Sequence, residues 1–179
     1  TFTAVTGSQV TNGGGLGLSL GGLIGVNLTF APTGQVDGGA GGSNSLILEN
    51  TTGVGGGSTG TGSASSANYV NFNNLAINSG TWTLQGPLVS GSTTLNGGVA
   101  QFNNNATFGS GVLTSNGGAI EATTNNLTLA NLMTLGTGGL TVQGAATGLT
   151  LNGLISGSTG LTKVGTGELI LSGANTFQG

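Results

Sequence analysis

The apolar positions of the chain come in short pieces, alternating or unbroken, separated by clusters of Gly, Asn and Ser. Val26 to Phe30, Ser45 to Glu49, Tyr69 to Ile77, Thr81 to Gln85, Leu127 to Leu129, Leu140 to Val142, Leu149 to Leu151 and Glu168 to Leu171 each read as a strand. The reason is their length, their alternation and the turn residues that bound them. Helix is disfavoured throughout. Glycine falls every few residues, each at a cost of about 1 kcal/mol in a helix interior, and no apolar stripe persists at a spacing of about 3.6.

The pieces repeat. Leu127-Thr128-Leu129-Ala130-Asn131-Leu132 matches Leu149-Thr150-Leu151-Asn152-Gly153-Leu154 at an offset of 22, and Leu140-Thr141 matches Leu161-Thr162 at 21. A longer match, Thr83 to Thr93 with Thr150 to Thr159, runs at 67 and falls to 66 once Pro87 is skipped. A period of about 22 residues with two or three strands per repeat suits one coil of a parallel β-helix, whose inward side chains are buried only by stacking coil on coil. The expected fold class is therefore all-β, a parallel β-helix or solenoid. Leu84, a position near Phe108, Leu129, Leu151 and Leu171 are expected to form one inward stack at the ordinary strand separation of about 4.8 Å.

Gly and Asn between the strands supply the positive φ that tight corners need. Asn73-Asn74, Asn103 to Asn105 and Asn125-Asn126 read either as hydrogen-bonded ladders along the stack or as plain polar turns. The period is clear from Thr81 onward and poor before Ser66. The chain is expected to be a single β-helix domain or fragment, residues 1–179, with residues 53–66 (GVGGGSTGTGSASS) a mobile Gly/Ser-rich loop projecting from a corner.

Charge narrows the function. Only Asp37, Glu49, Glu121, Lys163 and Glu168 are charged, against roughly 45 residues for an ordinary chain of this size at about 25%. Leu, Ile, Val and Phe nonetheless make up 46 of 179 residues, above the roughly 20% below which chains fail to collapse, so a folded chain is expected. One Lys and no Arg cannot neutralise a run of phosphates, which excludes nucleic acid as a partner and disfavours anionic membranes. No apolar run reaches the roughly 20 residues of a membrane helix, and Leu16 to Phe30 is broken by Gly17, Gly21, Gly22, Gly25 and Asn27. The absence of Cys and His removes disulfides, thiol chemistry and the commonest metal ligands, and suits a secreted protein. A start at Thr1 rather than Met implies processing or excision.

Residues 160–179 carry a more specific pattern. Lys163 precedes a Gly165-Thr166-Gly167 turn, Leu169 and Leu171 alternate along a strand, and Ser172-Gly173-Ala174-Asn175-Thr176-Phe177 follows. The segment resembles the autotransporter-associated β-strand repeat, in which a lysine, a Gly-x-Gly turn, an apolar strand, Ser-Gly-x-Asn-Thr and an aromatic residue stand in this order. The resemblance implies a right-handed β-helix displayed on the surface of a Gram-negative-type cell, secreted through a C-terminal membrane barrel whose strands are not in these 179 residues.

The remaining motifs are weak as chemistry. Asp37-Gly38-Gly39-Ala40-Gly41-Gly42-Ser43-Asn44-Ser45-Leu46 is similar to a calcium-binding nonapeptide, but Ser43 stands where calcium needs a carboxylate, so a glycine-rich turn is expected and no metal. Sugar cleavage would need paired carboxylates, and Glu121 and Glu168 lie about two coils, near 10 Å, apart if they share a face. They read as solvated strand-edge groups. Lys163 and Glu168 are placed to face each other across the Gly165 to Gly167 turn. Trp82 and Tyr69 would mark a carbohydrate face if exposed and core if buried. Thr1-Phe2-Thr3 and Thr81-Trp82-Thr83 suggest ice binding, yet Thr-x-Thr does not recur at the period, and the sequons at Asn27, Asn50, Asn105 and Asn126 are uninformative.

The expected function is a non-catalytic extracellular or cell-surface scaffold or adhesin segment with no catalytic, cofactor-binding or metal residue. Its expected partners are copies of itself end to end and a host or neighbouring-cell surface or matrix. A carbohydrate-binding or ice-binding solenoid is the alternative, with a polysaccharide-degrading enzyme behind it.

Overall fold

The computed structural model describes residues 1–5, 35–41, 43–50 and 60–179. These contain strands and no helix, and every pairing is parallel. The first sheet stacks β1 (Phe2–Val5), β3 (Ser45–Glu49), β6 (Asn74–Ile77), β8 (Thr93–Leu95), β10 (Leu113–Ser115), β13 (Met133–Leu135) and β16 (Ile155–Gly157) in that order. The second stacks β4 (Thr61–Ser65), β7 (Thr81–Gln85), β9 (Val99–Phe102), β11 (Ala119–Ala122), β14 (Leu140–Gln143) and β17 (Leu161–Lys163). The third holds β12 (Thr128–Leu129), β15 (Leu149–Leu151) and β18 (Leu169–Leu171), and a short pair joins β2 (Val36–Asp37) to β5 (Tyr69–Val70).

Each strand pairs with its equivalent one coil away, so the chain is a β-solenoid of about six coils. From β4 onward the register advances by 18 to 22 residues per coil, as in Thr81 on Val99 and Thr128 on Thr150. The offsets of 22 and 21 seen in the sequence are real pairings, Leu129 with Leu151 and Leu140 with Leu161. The offset near 66 is not. Leu84 belongs to the second sheet, between Ala64 and Phe102, whereas Leu129, Leu151 and Leu171 stack in the third. The unequal coils let a match that skips Pro87 join strands of different faces. Leu171 also departs from the expected core, at 39% exposed on the edge strand β18.

Corners explain how unequal coils still stack. Gly80, Gly98, Gly118 and Gly139 each enter the second sheet with positive φ, between 65° and 98°. A Cβ on Gly98 would strike the Gly80 carbonyl, and one on Gly118 would strike Gly98. Glycine thus serves both the left-handed turn and the close approach of successive corners.

The interior alternates large and small. Trp82 lies between Gly62 and Ala100 in the register, and a Cβ at Gly62 would fall on its ring. Phe102, packed edge-on to Phe108 with ring centroids 5.0 Å apart, is followed by Ala122. Buried polar groups are paired inside: Thr93 Oγ1 donates to the Phe108 carbonyl, Ser115 Oγ to Gly139, and Asn131 Nδ2 to both Gly109 and Gly111. Among the described residues no buried side-chain nitrogen or oxygen lacks a partner.

Several sequence expectations are refined. Tyr69 to Ile77 is two strands on different faces, β5 and β6, split at Asn71 with φ 59°. Thr61–Ser65, expected in the Gly/Ser-rich loop, is β4 and pairs with β7 because Gly62 and Ala64 are small enough to face the core beside Trp82 and Leu84. Residues 53–59 of that loop, and the expected strand Val26 to Phe30, lie outside the described residues.

Candidate functional site

The outward face of the second sheet carries a side-chain ladder. Thr83 Oγ1 donates to Gln101 Oε1 at 3.2 Å, and Gln101 and Gln143 donate from opposite sides to Glu121 Oε2 at 3.2 and 3.1 Å. Glu121 is therefore clamped between two amides. Glu168 sits just before β18, on the third sheet, so the two carboxylates occupy different faces and form no acid–base pair. Lys163 is registered on the inward-facing Val142, and its ammonium turns back onto the carbonyls of Val164 and Gly165 at 2.8 and 3.1 Å. It does not meet Glu168 across the turn as expected, because the bend aims those carbonyls at the amine.

A second ladder runs along the corner after the first sheet. Asn116 donates to Asn96 at 2.9 Å, Asn96 to Asn78 at 3.0 Å, and Asn78 to Glu49 Oε2 at 3.2 Å. All three amides point the same way, and the line ends on a carboxylate. Sequence reasoning missed it, since Asn78, Asn96 and Asn116 are spaced below the expected 22. The asparagine clusters read either as ladders or as plain turns bond along the stack, mostly to the backbone of a neighbouring coil. Asn105 and Asn125 accept from the backbone N–H of Thr128 and Thr147 one coil on, Asn103 accepts from Gly86, and Asn73 accepts from Asn44 while donating to Ser90.

The turn after Asp37 is closed by side-chain amides. Asn44 Nδ2 donates to the carbonyls of Gly39, Gly41 and Asn71 at 2.9, 3.1 and 3.4 Å, a convergence of oxygens of the kind a cation would use. Asp37 Oδ1 accepts from the Gly39 N–H and from Asn71 Nδ2, both at 2.8 Å. Those two bonds, the backbone one first, hold its carboxyl below the ordinary value of 3.8. Among the described residues no three His, Cys, Asp or Glu side chains gather at one point.

This turn walls an open recess of about 670 Å³, with Asn71, Asn73, Pro87 and Ser90 on its rim and Tyr69, Phe72, Leu88 and Val89 beneath. Tyr69 and Phe72 pack with Phe2, ring centroids 6.0 to 6.5 Å apart, and are 4% exposed. Trp82 is 1% exposed and donates Nε1 to the Ser79 carbonyl. Both sequence-flagged aromatics are core residues and offer no open ring face.

Thr81 and Thr83 project from β7, but Val99 and Gln101 replace them on β9, so their hydroxyl pair is not continued. The first sheet instead aligns Thr94, Thr114, Thr134 and Ser156 in one column. A single threonine per strand about every 20 residues was the signal for it. Beside the column, Leu132 is 55% and Leu154 39% exposed.

In an alignment 131 positions long that covers 65% of the chain, it is 31% identical to the adhesin BmaC autotransporter of Brucella suis biovar 1 (strain 1330). It spans about 4% of that protein. No protein-family profile matches the chain, and no solved structure matches it.

Proposed function

We propose that the chain is a section of a cell-surface, adhesin-like solenoid scaffold, secreted as part of an autotransporter passenger and without catalytic function. The observation that carries this reading is where the outward polar groups go. Glu121, Glu49 and the amides around them are spent on holding one coil to the next. A hydrolase would instead hold two carboxylates at a fixed separation about a scissile bond. The similarity to an autotransporter adhesin supports the same reading, as does the repeat-like pattern of residues 160–179.

Its partners on this reading are a host or neighbouring-cell surface or matrix, and copies of itself. The repeated parallel pairing of coil on coil supports end-to-end docking into fibres, because a coil edge offers the backbone groups that a further coil would take.

Display of the chain on a non-adherent cell tests the proposal. Attachment to host cells or matrix should rise, and Glu121→Gln and Glu168→Gln should leave it unchanged. Release of reducing sugar from a polysaccharide, lost in either variant, would overturn it. Electron micrographs of concentrated protein decide the fibre component: filaments support it and monodisperse rods remove it. The Thr94 to Ser156 column favours a second reading, an ice-binding face. Inhibition of ice recrystallisation that Thr134→Val abolishes would favour that reading.

A further inference from the structure

Three Asn-Gly steps lie among the described residues, Asn96-Gly97, Asn116-Gly117 and Asn152-Gly153, all at coil corners. We propose that Asn116-Gly117 is a site of spontaneous covalent modification, at which the Asn116 amide is converted to aspartate or isoaspartate and the asparagine ladder acquires a second carboxylate end.

The chemistry needs only water. Hydroxide removes the Gly117 amide proton, the nitrogen attacks Cγ of Asn116, the Cγ–Nδ2 bond breaks, and nitrogen leaves as ammonia after taking a proton from water. The five-membered succinimide is then opened by water at either carbonyl. One water is consumed and one ammonia released, with no change of oxidation state.

Geometry separates the three steps. Asn96 is held on both sides, donating to Asn78 and accepting from Asn116, and the Gly97 N–H is bonded to the Ile77 carbonyl. Asn152 accepts from Ser172 Oγ at 2.9 Å, and Gly153 is pressed against the Asn131 carbonyl so closely that a Cβ has no room. Among the described residues the exposed Asn116 side chain makes one hydrogen bond, to Asn96, and neither its Oδ1, which lies against Gly136, nor the Gly117 N–H has a hydrogen-bond partner. Gly117 is also loosely packed, since even an added Cβ would come no nearer than 3.7 Å to a neighbour. Of the three steps, this is the one at which neither the glycine N–H nor the asparagine Oδ1 is held by a hydrogen bond.

The product alters the ladder. With Asn116 intact, each of three amides donates toward Glu49. With an acid at both ends, the two amides between can each turn their nitrogen toward one neighbour only, so that of three links one must set oxygen against oxygen. Isoaspartate also lengthens the backbone at the corner. The uncharged strip becomes charged and loosened at that point.

Peptide mass mapping of the folded chain, held at mildly alkaline pH, tests this, with isoaspartyl methylation to identify the product. Conversion should appear first at Asn116, about tenfold faster than at Asn96, the factor that one lost hydrogen bond of restraint supplies. In denaturant the three sites should converge. Asn96→Ala, which removes the remaining tether, should speed conversion at Asn116, and Asn116→Gln should abolish the early product. Conversion first at Asn96 or Asn152, equal rates in the folded chain, or the same order in denaturant would each overturn the proposal.

Discussion

At the residue scale the structure is decided by amides that do the work other proteins assign to charges. Asn131 is the sharpest case, 4% exposed with its Nδ2 shared between the Gly109 and Gly111 carbonyls. Asn131→Leu removes both donors and leaves the part-buried Gly109 and Gly111 carbonyls without that partner, so the unfolding free energy in urea should fall by about 1–3 kcal/mol. Asp37 makes a pH-dependent contribution. Its carboxyl is held below the ordinary 3.8 in the folded chain, so the stabilisation is fully present above that value and is lost as pH falls through the lowered one. The thermal midpoints of the natural chain and Asp37→Asn should therefore differ at neutral pH and converge in acid. A gap that widens below pH 3.8 would contradict the assignment.

At the element scale, coils stack because bulky inward residues alternate with small ones in register. Trp82→Ala empties the space between Gly62 and Ala100 and should cost about 3–5 kcal/mol. Gly62→Ala drives a methyl into the same ring and should cost about 1–3 kcal/mol. If chemical denaturation finds Gly62→Ala neutral, β4 is not held against β7 as described. Legibility follows the same geometry. Period-two alternation placed β3 and β7 at their observed bounds, and the true repeats between β12 and β15 were visible as matching letters. Face assignment was not visible, because coils of unequal length carried Leu84 out of phase with Leu151. The glycine column at Gly80, Gly98, Gly118 and Gly139 marks where each coil enters the second sheet, and reading it would have supplied the missing phase. The two ladders stayed hidden for a related reason: a glutamine or asparagine in a turn is locally indistinguishable from any other polar corner until its neighbour one coil away is known.

At the scale of the whole molecule, cohesion comes from backbone pairing and apolar stacking, with five charged side chains in all. Stability should accordingly ignore ionic screening. Moving from about 10 mM to about 150 mM salt shortens the Debye length from about 30 Å to about 8 Å, and the urea midpoint should not shift measurably. A large shift would reveal an ionic contribution that neither Lys163 nor the acids supply. The direction of the inter-strand hydrogen bonds, along the stacking axis, has a mechanical consequence. A pull on the two ends loads one terminal coil at a time, so that bonds open in sequence rather than sharing the force. Each coil of about 20 residues adds only about 4.8 Å of height when folded but holds about 70 Å of extended chain. A stack built this way yields coil by coil at modest load, and each coil that opens lengthens about fifteenfold.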